Sequence, residues 1–151
     1  MYLETTVFNY YFDTERDGHE DVVRLFEAIG AGQFEGFAST LVTDELKRAP
    51  DPKRSDMLAL IDRYGIIVLD TMPSVARLAE LYLENGIVPA SHRYDSAHIA
   101  LTSVYELDLV VSYNFHHINR DKTRNLTAVI NRREGYDAVI ICTAKEVFDN
   151  E

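Results

Sequence analysis

Glu4, Glu45, Asp95 and Asn114 are the oxygen-donor residues whose positions suit joint chemistry. Glu4 follows the first predicted strand, Glu45 lies on a helix one turn after Leu41, Asp95 opens a central helix, and Asn114 follows a later strand. Carboxylate and amide oxygens are hard ligands suited to Mg2+ or Mn2+. These ions need only a few protein oxygens, because water and a substrate phosphate complete the shell. Such a set points to hydrolysis of a phosphodiester, in which bound metal activates a water and steadies the charge developing on the phosphorus and the leaving oxygen. No protein nucleophile is required. The chain has no Walker phosphate loop, GxGxxG fingerprint, CxxC pair or HExxH helix, which removes several competing chemistries.

Each of the four also has an ordinary structural use. Asp95 suits the N-cap of the helix that runs on through Ser96, Ala97, His98 and Ile99. Glu45 borders apolar Leu41, Val42 and Leu46, where a carboxylate needs a partner or a metal. Glu4 complements the positive end of the helix after it, and Asn114 suits an Asx-turn. His116 and His117 are adjacent in a loop without spaced partners and read as surface residues outside the catalytic set. Lys47, Arg48, Lys53 and Arg54 form one basic cluster, and Arg120, Lys122 and Arg124 another. Both read as solvated loops, and either would hold an RNA backbone if it bordered the carboxylates.

The elements that must position these residues alternate along the chain. Met1 to Leu3 is a short strand, and Val7 to Phe12 a helix that Thr5 and Thr6 can cap. Val22, Val23, Leu25, Phe26 and Ile29 repeat at helical spacing until Gly30 and Gly32. A strand follows around Phe34 to Ser39, then a short helix with Leu41, Val42, Glu45 and Leu46. Pro50 and Pro52 break that helix before another with Met57, Leu58, Leu60 and Ile61 inward, ended by Gly65. Ile66 to Leu69 is a strand, and Pro73 opens a helix that stops near Gly86. The Asp95 to Tyr105 helix leads to the strand Leu109-Val110-Val111. Asn119 to Glu134 places Leu126, Val129 and Ile130 on one helical face, and Ala138 to Cys142 is the last strand. Strand–helix alternation of this kind predicts one α/β domain with a parallel sheet covered on both faces. Sheets of that type bind ligands beyond the carboxyl ends of their strands, which selects the four residues named first.

Size and charge limit the classes open to the chain. Its 151 residues, 46% hydrophobic and 26% charged, suffice for one core. The longest apolar runs are too short to cross a bilayer, and no basic leader precedes Glu4, so the expectation is a cytoplasmic protein without a membrane span. A net charge of −10 repels polyanions at long range, which argues against nonspecific nucleic-acid binding and suits a basic protein partner. Bound divalent ions would invert that field locally, so a nuclease stays open. The single cysteine, Cys142, excludes an internal disulfide and reads as a buried thiol.

The stretches Tyr2-Leu3-Glu4-Thr5-Thr6-Val7-Phe8-Asn9-Tyr10-Tyr11-Phe12, Asp95-Ser96-Ala97-His98-Ile99-Ala100 and Leu109-Val110-Val111-Ser112-Tyr113-Asn114-Phe115-His116-His117-Ile118 together resemble the PIN-domain family. Gly135-Tyr136, followed by Val139-Ile140-Ile141-Cys142-Thr143 and Glu146-Val147, looks like that family's C-terminal strand. The resemblance spans nearly the whole chain and implies a five-stranded α/β/α sandwich. It gives Glu4, Glu45 and Asp95 the places of the family's first, second and third acidic residues, as ligands of Mg2+ or Mn2+ or of its water, and puts Asn114 after the fourth strand. Many members have aspartate at the first and fourth places. The longer Glu4 and neutral Asn114 are therefore departures that favour one firmly held ion over two. The resemblance further implies a metal-dependent endoribonuclease, the toxin of a type II toxin–antitoxin pair, as a homodimer whose acidic cleft an antitoxin blocks with arginine.

Two other classes compete. One is a PIN-like protein- or RNA-binding module that has lost catalysis, motivated by Glu4 and Asn114. The other is a phosphoacceptor domain, for which Asp70 after the Ile66 to Leu69 strand is the only tempting acceptor. Fold alone does not choose among them.

Overall fold

The computed structural model describes residues 1–150. Five strands, β1 (Tyr2–Leu3), β2 (Phe37–Ser39), β3 (Ile67–Leu69), β4 (Leu109–Val111) and β5 (Ile140–Cys142), form one sheet in the order β3-β2-β1-β4-β5, every pair parallel. Eight helices connect and flank the strands: α1 (Thr5–Phe12), α2 (His19–Gly30), α3 (Thr40–Leu46), α4 (Lys53–Tyr64), α5 (Pro73–Glu84), α6 (Arg93–Val104), α7 (Asp121–Glu134) and α8 (Ala144–Asp149). Helices α1, α2, α4 and α8 pack among themselves, as do α5, α6 and α7, which gives the expected three-layer α/β/α sandwich.

Burial explains why the inner strands read as unbroken apolar runs. Tyr2, Leu3, Val110 and Val111 are fully buried, since a parallel sheet covered on both faces leaves neither face to water. The edge strands are less enclosed: Ile67 and Val68 on β3 and Ile140 on β5 remain exposed. Chain order reverses at β1, whose neighbours are β2 on one side and β4 on the other. That reversal opens a crevice beyond the carboxyl ends of β1 and β4, where open α/β sheets bind their ligands.

Several boundaries differ from the sequence reading. Strand β2 begins at Phe37 and β5 at Ile140, because only those residues reach a neighbouring strand. Helix α6 starts at Arg93 with His92 as its N-cap, so Asp95 is the third helical residue and not the cap. Neither threonine caps α1: Glu4 is its N-cap residue, and the Thr6 hydroxyl turns back to the Glu4 carboxylate. Glu146 and Val147 belong to α8 and not to a strand, because Thr143 and Glu146 close a capping box, a device worth about 1 kcal/mol.

The inward face of α7 is the largest departure. It carries Thr123, Thr127, Ile130 and Asn131, whereas Val129 is 63% exposed. Asn131 replaces the expected apolar contacts with hydrogen bonds. Its Oδ1 accepts from the Tyr82 hydroxyl, and its Nδ2 donates to Ser103 Oγ at 2.9 Å and to the Asp137 carbonyl at 3.0 Å. Gly135 ends the helix with φ at 84°, a conformation that favours glycine.

Candidate metal centre

Glu4 sits where β1 ends. Its backbone N–H continues the sheet ladder to the Val111 carbonyl at 3.1 Å, which sets Glu4 beside Ser112 across the crevice. The side chain is 3% exposed, and its Oε1 accepts hydrogen bonds from Thr6 Oγ1 at 2.6 Å and Ser112 Oγ at 2.7 Å. Each of those hydroxyl oxygens in turn accepts a backbone N–H: Thr6 Oγ1 from Tyr113 at 2.8 Å, and Ser112 Oγ from Asn114 at 3.0 Å. Both hydroxyl hydrogens are thereby directed at the carboxylate, which is fixed in place without a cation.

His98, in the middle of α6 and fully buried, links the next layer. Its Nε2 lies 2.6 Å from Glu45 Oε1, and its Nδ1 lies 2.6 Å from the Tyr2 hydroxyl, which reaches Ser39 Oγ at 2.8 Å. Tyr2 and Glu4 are two apart in sequence and leave the β1 end on the same side. Asp95 lies one turn before His98 on α6. Its Oδ1 accepts from Asn114 Nδ2 at 3.3 Å, and its Oδ2 is 3.6 Å from His92 Nδ1.

Electrostatics follow from this burial. Burial raises the Glu4 carboxyl above its usual range, while His98 and the hydroxyls of Thr6 and Ser112 oppose the shift. Asp95 is raised for the same reason, with His98, His117 and His92 opposing. Burial alone would lower His98, but the hydrogen bond and charge of Glu45, joined by Glu4 and Asp95, carry it above its ordinary value. With both ring nitrogens protonated, Nε2–H donates to Glu45, Nδ1–H donates to the Tyr2 oxygen, and the Tyr2 hydrogen goes to Ser39. Burial also lowers His117, with His92 adding to the effect.

Among the described residues, the acidic and imidazole side chains whose ligand atoms lie close enough to share one ion are His92, Asp95 and His117. Glu4, Glu45 and Asp95 converge around one imidazole. Among the described residues no lysine or arginine comes within ion-pairing distance of any of them. Their oxygens are of the hard class that Mg2+ or Mn2+ takes, and the basic groups beside them are imidazoles, His98 at 2.6 Å from Glu45 and His92 at 3.6 Å from Asp95. Asn114 stands differently: its Oδ1 accepts from the His117 N–H at 3.1 Å, and its Nδ2 faces Asp95. In this arrangement Asn114 closes the local turn and orients Asp95, and its amide oxygen is engaged away from the carboxylates.

The basic clusters do not line this centre. Arg54 pairs with Asp51, Arg124 pairs with Asp121, and Arg120 braces the Ile87 carbonyl at 2.7 Å. Arg48 approaches the α6 N-terminus, donating to the Tyr94 hydroxyl at 3.2 Å, and Arg120 is close enough to act on the His117 imidazole that faces His92. Asp70 is exposed after the edge strand β3, two strands out from β1. Cys142 is buried, and burial pushes its thiol up to about 11, which leaves it protonated and inert at neutral pH. Four tyrosines have partners within the chain: Tyr10 stacks on Tyr113, Tyr11 meets the Tyr64 hydroxyl, the buried Tyr82 meets Ser103 and Asn131, and Tyr105 donates to the Asp70 carbonyl.

His98, Ser112, Thr6 and Tyr2 are site residues that sequence reasoning passed over. Ser112 was findable, since it directly follows β4, whereas Asn114 lies two residues further on. His98 was findable as the residue one turn beyond Asp95. No family model matches this chain, and no curated protein matches it. None of its helices is long and apolar enough to cross a membrane among the described residues.

Proposed function

We propose that this protein is a metal-dependent endoribonuclease that hydrolyses RNA phosphodiester bonds, the toxin of a toxin–antitoxin pair. The observation that carries the reading is the buried Glu4 carboxylate, fixed by two hydroxyls at the chain reversal and set with Glu45 and Asp95 around the His98 imidazole. The resemblance to PIN domains, carried by the segments around Glu4 and Asp95, implies the places of that family's first and third acids for these two and of its second for Glu45. Bound Mg2+ or Mn2+ supplies Lewis acidity and a more acidic water. Glu4 and Asp95 serve as its ligands. Glu45, with one oxygen committed to His98, keeps the other to take a proton from the attacking water, and His98 fixes its orientation. Asn114 steadies Asp95.

An acidic cleft on a chain of net charge −10 suits an arginine-bearing antitoxin, whose guanidinium would pair bidentately with these carboxylates. Homodimer formation and a cytoplasmic location belong to the same reading. The test is incubation of purified protein with end-labelled RNA in Mn2+ or Mg2+ and in EDTA. Cutting that needs the metal is expected, and a folded, metal-supplied protein that cuts no RNA in a broad panel refutes the reading.

One observation favours the rival binding module. Asn114 Oδ1 is taken by the His117 N–H, and His98 already neutralises Glu45. If the module reading holds, calorimetry detects no Mn2+ or Mg2+ uptake at millimolar concentrations.

A further inference from the structure

His92, Asp95 and His117 form a second ligand group beside the carboxylates. One ring nitrogen from each histidine and one Asp95 oxygen lie within 4.8 Å of one another. The imidazoles face each other with centroids 4.1 Å apart and planes inclined by 34°. His92 caps α6 and Asp95 is the third residue of that helix, so the pair is spaced i,i+3 on one turn. His117 comes from the loop after β4, and its backbone is anchored at both ends. Its N–H donates to Asn114 Oδ1 at 3.1 Å, and its carbonyl accepts from Thr123 Oγ1 at 2.5 Å.

His117 Nδ1 gives the second, independent observation. It is closed to solvent and has no hydrogen-bond partner. Buried polar atoms are nearly always satisfied, so an orphaned ring nitrogen on a residue of the ligand group calls for an occupant. Imidazole nitrogen with a single carboxylate suits zinc-class ions, whereas Mg2+ prefers an all-oxygen shell. Ligand bonds of about 2.0–2.2 Å in a tetrahedral site set donor atoms roughly 3.3 Å apart. His92 Nδ1 and Asp95 Oδ2 are already 3.6 Å apart, and the half-exposed His92 is free to turn inward.

We propose that His92, Asp95 and His117 bind a first-row transition-metal ion of the zinc class, with the fourth position open to water. The site rests on its own geometry and not on the nuclease reading. Because Asp95 belongs to both ligand groups, an ion here draws that carboxylate away from the oxygen-only centre. Zinc is therefore an antagonist of Mg2+ or Mn2+ binding at Glu4 and Glu45.

Titration of tag-free protein with Co2+, read from its visible absorption, tests this directly. The expected result is a saturable tetrahedral Co2+ spectrum that Zn2+ abolishes. His92→Ala and His117→Leu should each weaken Co2+ binding by more than the roughly 10–100-fold that loss of an outer-shell partner costs. Glu4→Gln should retain the spectrum. His92 is 46% exposed in its side chain, so His92→Ala keeps the fold and decides the matter even if His117→Leu does not. Unchanged Co2+ affinity in His92→Ala overturns the proposal. Neither readout involves RNA, so the result stands apart from any cleavage assay.

Discussion

His98 Nε2 lies 2.6 Å from Glu45 Oε1, so a fully buried imidazole on α6 is tied to a carboxylate on α3 across the mouth of the sheet. This contact joins the two helices that supply the second and third acids. It also sets a buried imidazole, whose pKa Glu45 raises against burial, among the three carboxylates.

Removing His98 should therefore damage the fold as well as the site. His98→Ala leaves Glu45 without its partner and the Tyr2 hydroxyl without one of two, and should lower stability by about 3 kcal/mol. Urea denaturation of metal-free protein, monitored by circular dichroism, measures the loss. A change under about 0.5 kcal/mol would mean that the ion pair contributes little.

Stability of the metal-free protein should fall as pH rises. The folded-state pKa of His98 is raised above 6.5, so its contribution is full below that pH and is lost as pH climbs through the folded value. Glu4 and Asp95 are also raised, and the folded state holds their protons more tightly than the unfolded chain, which gives the same sign. Calorimetry in EDTA should show a higher Tm at about pH 6 than at about pH 8.5. Saturating Mn2+ should oppose the decline, adding about 2.7 kcal/mol at a hundredfold excess over its Kd.

Asn131 tests the unexpected polar face of α7. Asn131→Leu keeps volume but takes one partner from the Asp137 carbonyl and one each from the Tyr82 and Ser103 hydroxyls, which retain each other at 3.2 Å, and should cost roughly 1–3 kcal/mol with no specific effect on metal binding. Thermal unfolding measures the first part and Mn2+ calorimetry the second.

Legibility in the sequence tracked the range of the interactions. Strand β4 and the Gly65 and Gly135 helix ends were readable because a local apolar run or a left-handed residue defines them. Asp95 as a cap and the apolar face of α7 misread the sequence because long-range packing decided both. Helix α6 extends back to Arg93 against α5, and the buried side of α7 faces polar groups of Tyr82 and Ser103. The place of Glu4 at the end of β1 was readable from the strand before it, yet the hydroxyls that hold Glu4 come from 2 and 108 residues away. Only the first of those spacings was local enough to be read.

Single-turnover cleavage of end-labelled RNA by Asp95→Asn, beside wild type in Mn2+, is the most direct test of the central claim. Asparagine preserves the shape at Asp95 while removing the charge that both metal and neighbouring histidines require. The account predicts metal-dependent cutting by the wild type and a loss of at least about a hundredfold in Asp95→Asn, with circular dichroism unchanged. Equal cutting by both proteins, or wild-type cutting that survives EDTA, would contradict it.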